Sequence, residues 1–253
     1  MWTPDQMTIA LLALAGIAGV ATAAPATPVA PVARSERPAV VATKAKPLTR
    51  PKTAPKPAVQ PEIEIVPSAE AMRVADWVAQ SGDNRSLPYA IIDKINASLL
   101  MFDAKGVQTG AVPVLIGIAT GDDATPGVGS KNLAEIGPSE KTTPAGRFVA
   151  KFGLAFGRER ILWVDYATSV ALHTIPTTVS KKERRRERML SPTPDDNRIT
   201  FGCINVPVAF YGKVLRRSFQ RKGGIVYILP DTKPIEDVFP RLRVQAVLNG
   251  SAG

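Results

Sequence analysis

The chain has 253 residues, enough for one large or two small domains with a substantial hydrophobic core. It carries 32 lysines and arginines against 22 aspartates and glutamates, and the net charge of +10 favours an anionic partner such as a cell wall, a membrane surface or nucleic acid. One cysteine excludes an intramolecular disulfide, and one cysteine with one histidine falls short of the ligands that a zinc site needs. We therefore expect no metal and no cofactor.

The first 24 residues predict export. An apolar run from Met7 to Val20 is followed by Ala21-Thr22-Ala23-Ala24, whose small residues are typical of a signal-peptide cleavage site. The positive residues that usually precede such a run are missing, and residues 7–24 reach the lower length limit of a membrane-spanning helix. An uncleaved anchor in the inner membrane is therefore the alternative to a cleaved signal, and a cytosolic protein with an apolar N-terminal helix is the third interpretation. We expect an exported protein of the periplasm or cell envelope.

Residues 25–67 predict a linker, because a chain rich in Pro, Ala, Val and Lys stays extended and buries no core. A short helix, Ala69 to Gln80, with Ser68 as its N-cap, leads in over residues 68–87. The catalytic candidates fall in residues 88–232, and a C-terminal tail without a functional signal follows at 233–253.

From Pro88 onward the pattern predicts a mainly β domain. Two strands share Tyr89–Phe102 around a turn at Lys94–Ala97, and further strands are predicted at 111–118, 148–152, 161–166, 169–175 and 225–230. A long loop is predicted from 117 to 138, and a helix over 206–219 with Asn205 as its N-cap. Short strands with Gly and Pro turns are typical of a sandwich or a barrel.

Residues 180–197 interrupt this pattern as an insertion. Lys181 to Arg188 carries six positive and two negative charges, and prolines follow it. The simpler interpretation is a solvated helical turn on a surface loop, and the alternative is a flap that meets an anionic substrate. Aromatic residues do not interleave with these charges, so we expect no nucleic acid as a partner.

The only histidine and the only cysteine are the candidate catalytic residues. His173 ends a predicted strand, and Cys203 lies in Thr200-Phe201-Gly202-Cys203-Ile204-Asn205. A thiolate is the reactive form of cysteine, and an imidazole can take its proton. The predicted helix would also place a partially positive N-terminus next to Cys203, which favours the thiolate. The alternative is a buried structural cysteine and a hydrogen-bonded surface histidine.

Three motifs in this order resemble the L,D-transpeptidase (YkuD-like) catalytic domain over roughly residues 89–231: Thr143-Pro144-x-Gly146-x-Phe148, His173 and Thr200-x-Gly202-Cys203-Ile204-Asn205. The resemblance implies a mainly β sandwich of mixed sheets that transfers acyl groups between peptidoglycan stem peptides, and so serves cell-wall biogenesis and cell shape. It implies Cys203 as the nucleophile, His173 as the general base, and backbone N–H groups around Gly202 and Cys203 as oxyanion donors. Thr200 matches the hydroxyl position of the motif, with a turn hydrogen bond as its alternative role.

The chain departs from the family pattern at three places, which predicts a different substrate or acceptor preference. Phe201 stands where the family usually has His, and Thr174 replaces the usual Gly after His173. The separation of His173 from Cys203 is longer than usual, and the basic insertion fills the excess. We count Phe201, Asn205 and Thr174 among the candidate substrate-binding residues.

Other functions remain open from the sequence. The same thiol could act with water as an L,D-carboxypeptidase or amidase, or the domain could bind the cell wall without catalysis. A sortase-like enzyme would need Thr-x-Thr-Cys, which Thr200-Phe201-Gly202-Cys203 does not supply. We expect a monomer whose partners are peptidoglycan stem peptides and, through the N-terminal segment, the membrane.

Overall fold

The computed structural model of the protein describes residues 64–155 and 159–244. The predicted signal or anchor segment, and the linker up to residue 63, lie outside the described residues. Within the described ranges, no helix combines the length and the apolar character that a membrane crossing requires.

The described chain is built around β-strands. The ten strands are β1 (Tyr89–Asp93), β2 (Ser98–Phe102), β3 (Gln108–Pro113), β4 (Ile116–Gly117), β5 (Gly146–Leu154), β6 (Arg160–Asp165), β7 (Val170–His173), β8 (Arg198–Thr200), β9 (Ile204–Asn205) and β10 (Gly224–Ile228). Eight of them make one sheet in the order β3-β2-β1-β10-β5-β6-β7-β9, while β4 and β8 pair separately. In the large sheet β1–β10 and β7–β9 are parallel and the other pairs antiparallel. The predicted mainly β fold with mixed sheets is confirmed.

The described helices are short, and two hydrophobic clusters bury the two faces of the sheet. The helical elements are α1 (Ala69–Ser81), α2 (Arg185–Met189), α3 (Val208–Phe210), a π-helical turn (Tyr211–Leu215), α4 (Arg216–Phe219) and α5 (Ile235–Val238). Leu215 and Phe219 pack with Leu172 and Ile204 on one face. On the other face α1 and α5 cover Tyr227, and the central strands β1 and β10 are buried on both sides.

Helix α1 forms as its sequence predicts. The Ser68 hydroxyl accepts from the Ala71 N–H at 3.1 Å, and Gly82 ends the helix in the left-handed region at φ 66°. Val74 and Val78 are fully buried at helical spacing. Residues of the predicted C-terminal tail complete this core, because Ile235, Phe239 and Leu242 are buried against it.

The helix after Cys203 begins later than the sequence predicts. Asn205 is not its N-cap: it lies in strand β9, where its backbone exchanges hydrogen bonds with Leu115 at 2.9 and 3.0 Å. The Val206 N–H donates to the His173 carbonyl, so the chain stays extended up to Pro207 and α3 starts at Val208. A pairing partner distant in sequence thus overrides the local capping preference.

The loop between β4 and β5 is fixed to the rest of the domain by a buried lysine. Lys94, predicted as a turn residue, is 1% exposed. Its ammonium contacts the carboxylates of Asp122 and Asp231 at 2.9 and 3.2 Å, and it donates to the Thr143 carbonyl at 3.0 Å. This network joins the ends of β1 and β10 to the loop that precedes β5.

Candidate active site

Strands β7 and β9 bring the two candidate catalytic residues to one face of the sheet. His173 is the register partner of Asn205, and Leu172 is the partner of Ile204. Leu172 and Ile204 face the hydrophobic core, and side chains alternate along a strand. His173 and Asn205 therefore point away from that core, and Cys203, two residues before Asn205, lies on their side next to Ala171.

The Cys203 thiol lies over strand β7. Its Sγ is 3.5 Å from the Ser169 carbonyl oxygen, to which the S–H donates. Burial raises the pKa of the Cys203 thiol above its ordinary value, and the Ala171 backbone and the Arg185 charge offset this only in part. The helix N-terminus expected to favour the thiolate is separated from Cys203 by β9 and Pro207. Because its pKa is raised, the resting thiol is protonated at neutral pH.

The His173 imidazole is held by its own chain. Its Nδ1 lies 2.7 Å from the Thr174 carbonyl oxygen, and since a carbonyl only accepts, Nδ1 carries the proton. The neutral ring then has its free lone pair on Nε2. Burial lowers the pKa of His173 below its usual value; the Thr174 hydrogen bond and Glu159 act against this shift and Arg185 adds to it. Thr174 thus supplies the orienting partner of the imidazole.

The turn before Cys203 is held by hydroxyl groups. Thr200 Oγ1 donates to the Cys203 carbonyl at 2.6 Å and accepts from the Gly202 N–H at 3.2 Å, so Thr200 makes the turn hydrogen bonds given as its alternative role. Thr143 Oγ1 donates to the Gly202 carbonyl and accepts from the Gly117 N–H, both at 2.8 Å. The Thr143-Pro144 motif therefore touches the segment that carries the nucleophile.

Gly202 is required by its conformation as well as by space. Its φ is +121°, and a Cβ placed there would lie 2.6 Å from the Thr142 carbonyl oxygen. The neighbouring Phe201 is 38% exposed, and the Lys141 ammonium lies 3.9 Å from the centre of its ring. Where the resembling family has a His, this chain has a cation–π contact.

The structure also brings to the site a residue that the sequence left within the charged run. Arg185 of α2 donates from Nη1 to Asn205 Oδ1 at 3.0 Å and from Nε to Glu183 Oε2 at 2.6 Å. Arg185 and Met189 are four residues apart, a spacing that places both on one face of a helix. In the structure both are buried, so this spacing could have indicated the inward face of α2. The six positive charges of the run concealed that spacing.

The site offers a candidate nucleophile, a candidate base and a nearby guanidinium. In the described ranges no group of three or more His, Cys, Asp or Glu side chains could hold a metal ion. The arrangement suits covalent catalysis, in which a thiol passes its proton to an imidazole as it attacks a carbonyl carbon.

Comparison with known proteins gives one kind of match. No protein-family model matches the chain, and no curated protein matches it. Among solved structures, the crystal structure of an L,D-transpeptidase from Xylanimonas cellulosilytica aligns with a TM-score of 0.34 and 15% sequence identity, covering 56% of this chain and 60% of that chain. The chain thus spans less than two thirds of that solved structure.

Proposed function

We propose that the protein is an exported cysteine-dependent L,D-transpeptidase that acts on peptidoglycan stem peptides. The observation that carries the proposal is the placement of the only thiol and the only imidazole of the chain on one face of adjacent strands, with Nδ1–H fixed on the Thr174 carbonyl. The motifs around Thr143, His173 and Cys203 supply the substrate class by resemblance. Export, and attachment to the inner membrane through residues 7–24, belong to the same proposal.

The proposed reaction has two halves. As Cys203 Sγ attacks the carbonyl carbon between the third residue and the terminal D-Ala of a tetrapeptide stem, its proton moves to His173 Nε2. Nε2–H then protonates the departing D-Ala amine, the C–N bond breaks, and a thioester remains. In the second half His173 takes a proton from an acceptor amine, which attacks the thioester and releases the Cys203 thiol.

The oxyanion that forms in each half needs hydrogen-bond donors. The Gly202 N–H is already used by Thr200 Oγ1, so it is not the group we assign to this task. We assign the Cys203 N–H, which belongs to the same residue as the attacking sulfur and to the turn that Thr200 holds. Donors of this kind, held in place before the reaction, lower the barrier because no reorganisation is needed.

The test is incubation of the full-length protein with a disaccharide-tetrapeptide, followed by mass spectrometry. We expect a cross-linked dimer or an exchanged terminal residue, together with a Cys203 thioester, all absent in Cys203→Ala. Disaccharide-tripeptide as the sole product would identify a carboxypeptidase instead of a transpeptidase. Absence of turnover with unchanged binding of Cys203→Ala to isolated cell wall would contradict catalysis and support a binding module.

A further inference from the structure

The basic insertion is packed onto the domain. Met189 is buried, Asn197 Nδ2 donates to the Val114 carbonyl at 2.8 Å, and Arg188 Nε donates to the Asp196 carbonyl at 2.8 Å. The Arg188 contact lies within the insertion, and the Asn197 contact joins the insertion to the chain after β3. The hydrogen bond from Arg185 to Asn205 places α2 beside β9. The charges of the insertion therefore have defined positions relative to Cys203.

One of these charges points inward. The Arg185 side chain is 8% exposed, whereas the Arg184 side chain is 71% exposed and pairs with Glu187 in solvent. Among the described residues, Arg185 forms its ion pair with Glu183, whose side chain is 34% exposed. A guanidinium cannot lose its proton in a protein, so its charge is permanent.

The anchor of Arg185 is an active-site residue. Asn205 is fully buried, its Oδ1 accepts from Arg185, and its Nδ2 has no hydrogen-bond partner among the described residues. Asn205 faces the same side as Cys203 and His173, and neighbouring strands lie about 4.8 Å apart. Arg185 Nε and Nη1 are bonded to Glu183 and Asn205, which leaves Nη2 without a bonded partner in the described ranges.

Within residues 64–155 and 159–244, few charged groups act on the thiol and the imidazole. Arg185 acts on both; Glu159, next to β6, acts on His173; and Lys141 lies on the ring of Phe201 beyond the turn. Arg185 lowers the pKa of the thiol and of the imidazole alike, the direction expected of a nearby fixed cation. Negative charge that forms at Cys203, or that arrives with a substrate, meets this cation first.

We propose that Arg185 supplies the fixed positive charge of the Cys203 site, where it stabilises the thiolate and selects acyl donors that carry a carboxylate next to the reacting carbonyl. The terminal residue of a stem peptide, which leaves in the first half of the reaction, bears such a carboxylate. The part of this inference that concerns the selection of acyl donors rests on the proposed function. Arg185 acts as a positioning and specificity residue, since the bond-breaking steps belong to Cys203 and His173.

Alkylation of the full-length protein tests both parts of this proposal, thiolate stabilisation and carboxylate selection, without any turnover. Cys203 is the only cysteine, so every alkylation reports on it. Its thiolate displaces iodide from iodoacetamide, which is neutral, or from iodoacetate, which carries a carboxylate; mass spectrometry follows the product against pH. For the wild type we expect a higher iodoacetate-to-iodoacetamide rate ratio than for N-acetylcysteine amide, and a fall of that ratio with added salt.

In Arg185→Met the iodoacetamide profile should shift to higher pH by about one unit, which slows alkylation about tenfold below the midpoint. The rate ratio should fall to that of N-acetylcysteine amide. Arg184→Met, the matched loss of an exposed charge, should leave both readouts at wild-type values, and Arg185→Lys should restore much of each.

Failure of either readout to change in Arg185→Met relative to Arg184→Met overturns the proposal. If Arg185→Met does not fold, the wild type decides alone: a ratio equal to that of N-acetylcysteine amide, or one insensitive to salt, overturns it. Because alkylation needs no peptidoglycan, a protein without transpeptidase activity still gives a clear result. Failure of the proposed function is thereby distinguished from failure of this inference.

Discussion

At the scale of single residues, the site starts its chemistry with two neutral groups. Burial raises the pKa of the Cys203 thiol and lowers the pKa of the His173 imidazole, so the proton stays on sulfur at rest. An ion pair formed in advance would be more reactive towards any electrophile. In the mechanism that we propose, a buried neutral pair transfers its proton only as a substrate carbonyl arrives, which limits side reactions of the thiol.

The pKa of His173 can be measured without assignment, since the chain has one histidine. We expect its ring proton in an NMR titration to show a midpoint below the ordinary 6.5. The imidazole is then the free base at neutral pH, and turnover should decline only as pH falls through the lowered midpoint. A midpoint above 6.5 would contradict the burial argument. Cys203→Ala provides the control for thiol–imidazole coupling.

Gly202→Ala should damage both the fold and the site. The new methyl would meet the Thr142 carbonyl at 2.6 Å on a backbone with φ +121°, a strain of about 1–3 kcal/mol. Urea unfolding should show that loss, and formation of the Cys203 thioester should fall to background. Gly212→Ala is the matched control, because its Cβ would meet nothing within 4 Å and it lies in a helical segment. Equal behaviour of the two variants would refute the argument.

At the scale of elements, the site depends on how the loop before β5 meets the turn before β9. Thr143 bridges the two by one hydroxyl, which accepts from Gly117 and donates to Gly202. A single hydroxyl thus joins three segments that are distant in sequence. The orientation of Cys203 relative to β7 depends on this contact.

Thr143→Val keeps the shape of the side chain and removes both hydrogen bonds. Because a buried N–H and a buried carbonyl lose their partner, we expect about 1–3 kcal/mol of destabilisation. At a temperature where the variant is fully folded, thioester formation should still be slower than in the wild type. Thr143→Ser should restore both quantities, and a failure to do so would point to packing instead of hydrogen bonding.

The local elements were predictable, and the contacts between them were not. Helix α1 follows from Ser68, its apolar spacing and Gly82, and the hairpin of β1 and β2 follows from two short, largely apolar runs joined by a turn. The sequence predicts Asn205 as a helix cap, because no residue close to it in sequence indicates that Leu115 pairs with its backbone. Arg185 reads as a solvated charge for the same reason: its partner Asn205 is joined to it only by the fold.

At the scale of the whole molecule, a buried ionic network joins segments of the domain that are distant in sequence. Lys94 contacts Asp122 and Asp231, and Arg198 pairs with Asp231 at 2.7 Å. Burial raises the pKa of Asp122, but hydrogen bonds from Asp231, Thr232, Lys233 and Lys94 outweigh this and hold it well below the usual range. The hydrogen bonds and ion pair of Asp122 therefore contribute their stability while Asp122 is ionised.

Removing one member of this network should be costly. Lys94→Met leaves buried carboxylates with too little positive charge, and we expect a loss of about 3–5 kcal/mol in urea unfolding at pH 7. Since the folded pKa of Asp122 is depressed, its contribution is present above the unfolded value of about 3.9 and is lost as pH falls below it. Asp122→Asn should therefore be much less stable than the wild type at pH 7, and the difference should shrink on acidification. A constant difference across that range would contradict this linkage.

The position of β10 has a consequence for how the chain reaches its native state. The last strand in the described part of the chain lies in the middle of the large sheet, between β1 and β5. Until residues 224–228 leave the ribosome, β1 and β5 have no strand between them. One hydrophobic cluster then lacks Val226 and the other lacks Tyr227. The nascent chain therefore cannot complete this sheet before β10 has emerged, and its non-local pairing favours slow closure. A secretion channel that passes only unfolded polypeptide would accept such a late-closing chain.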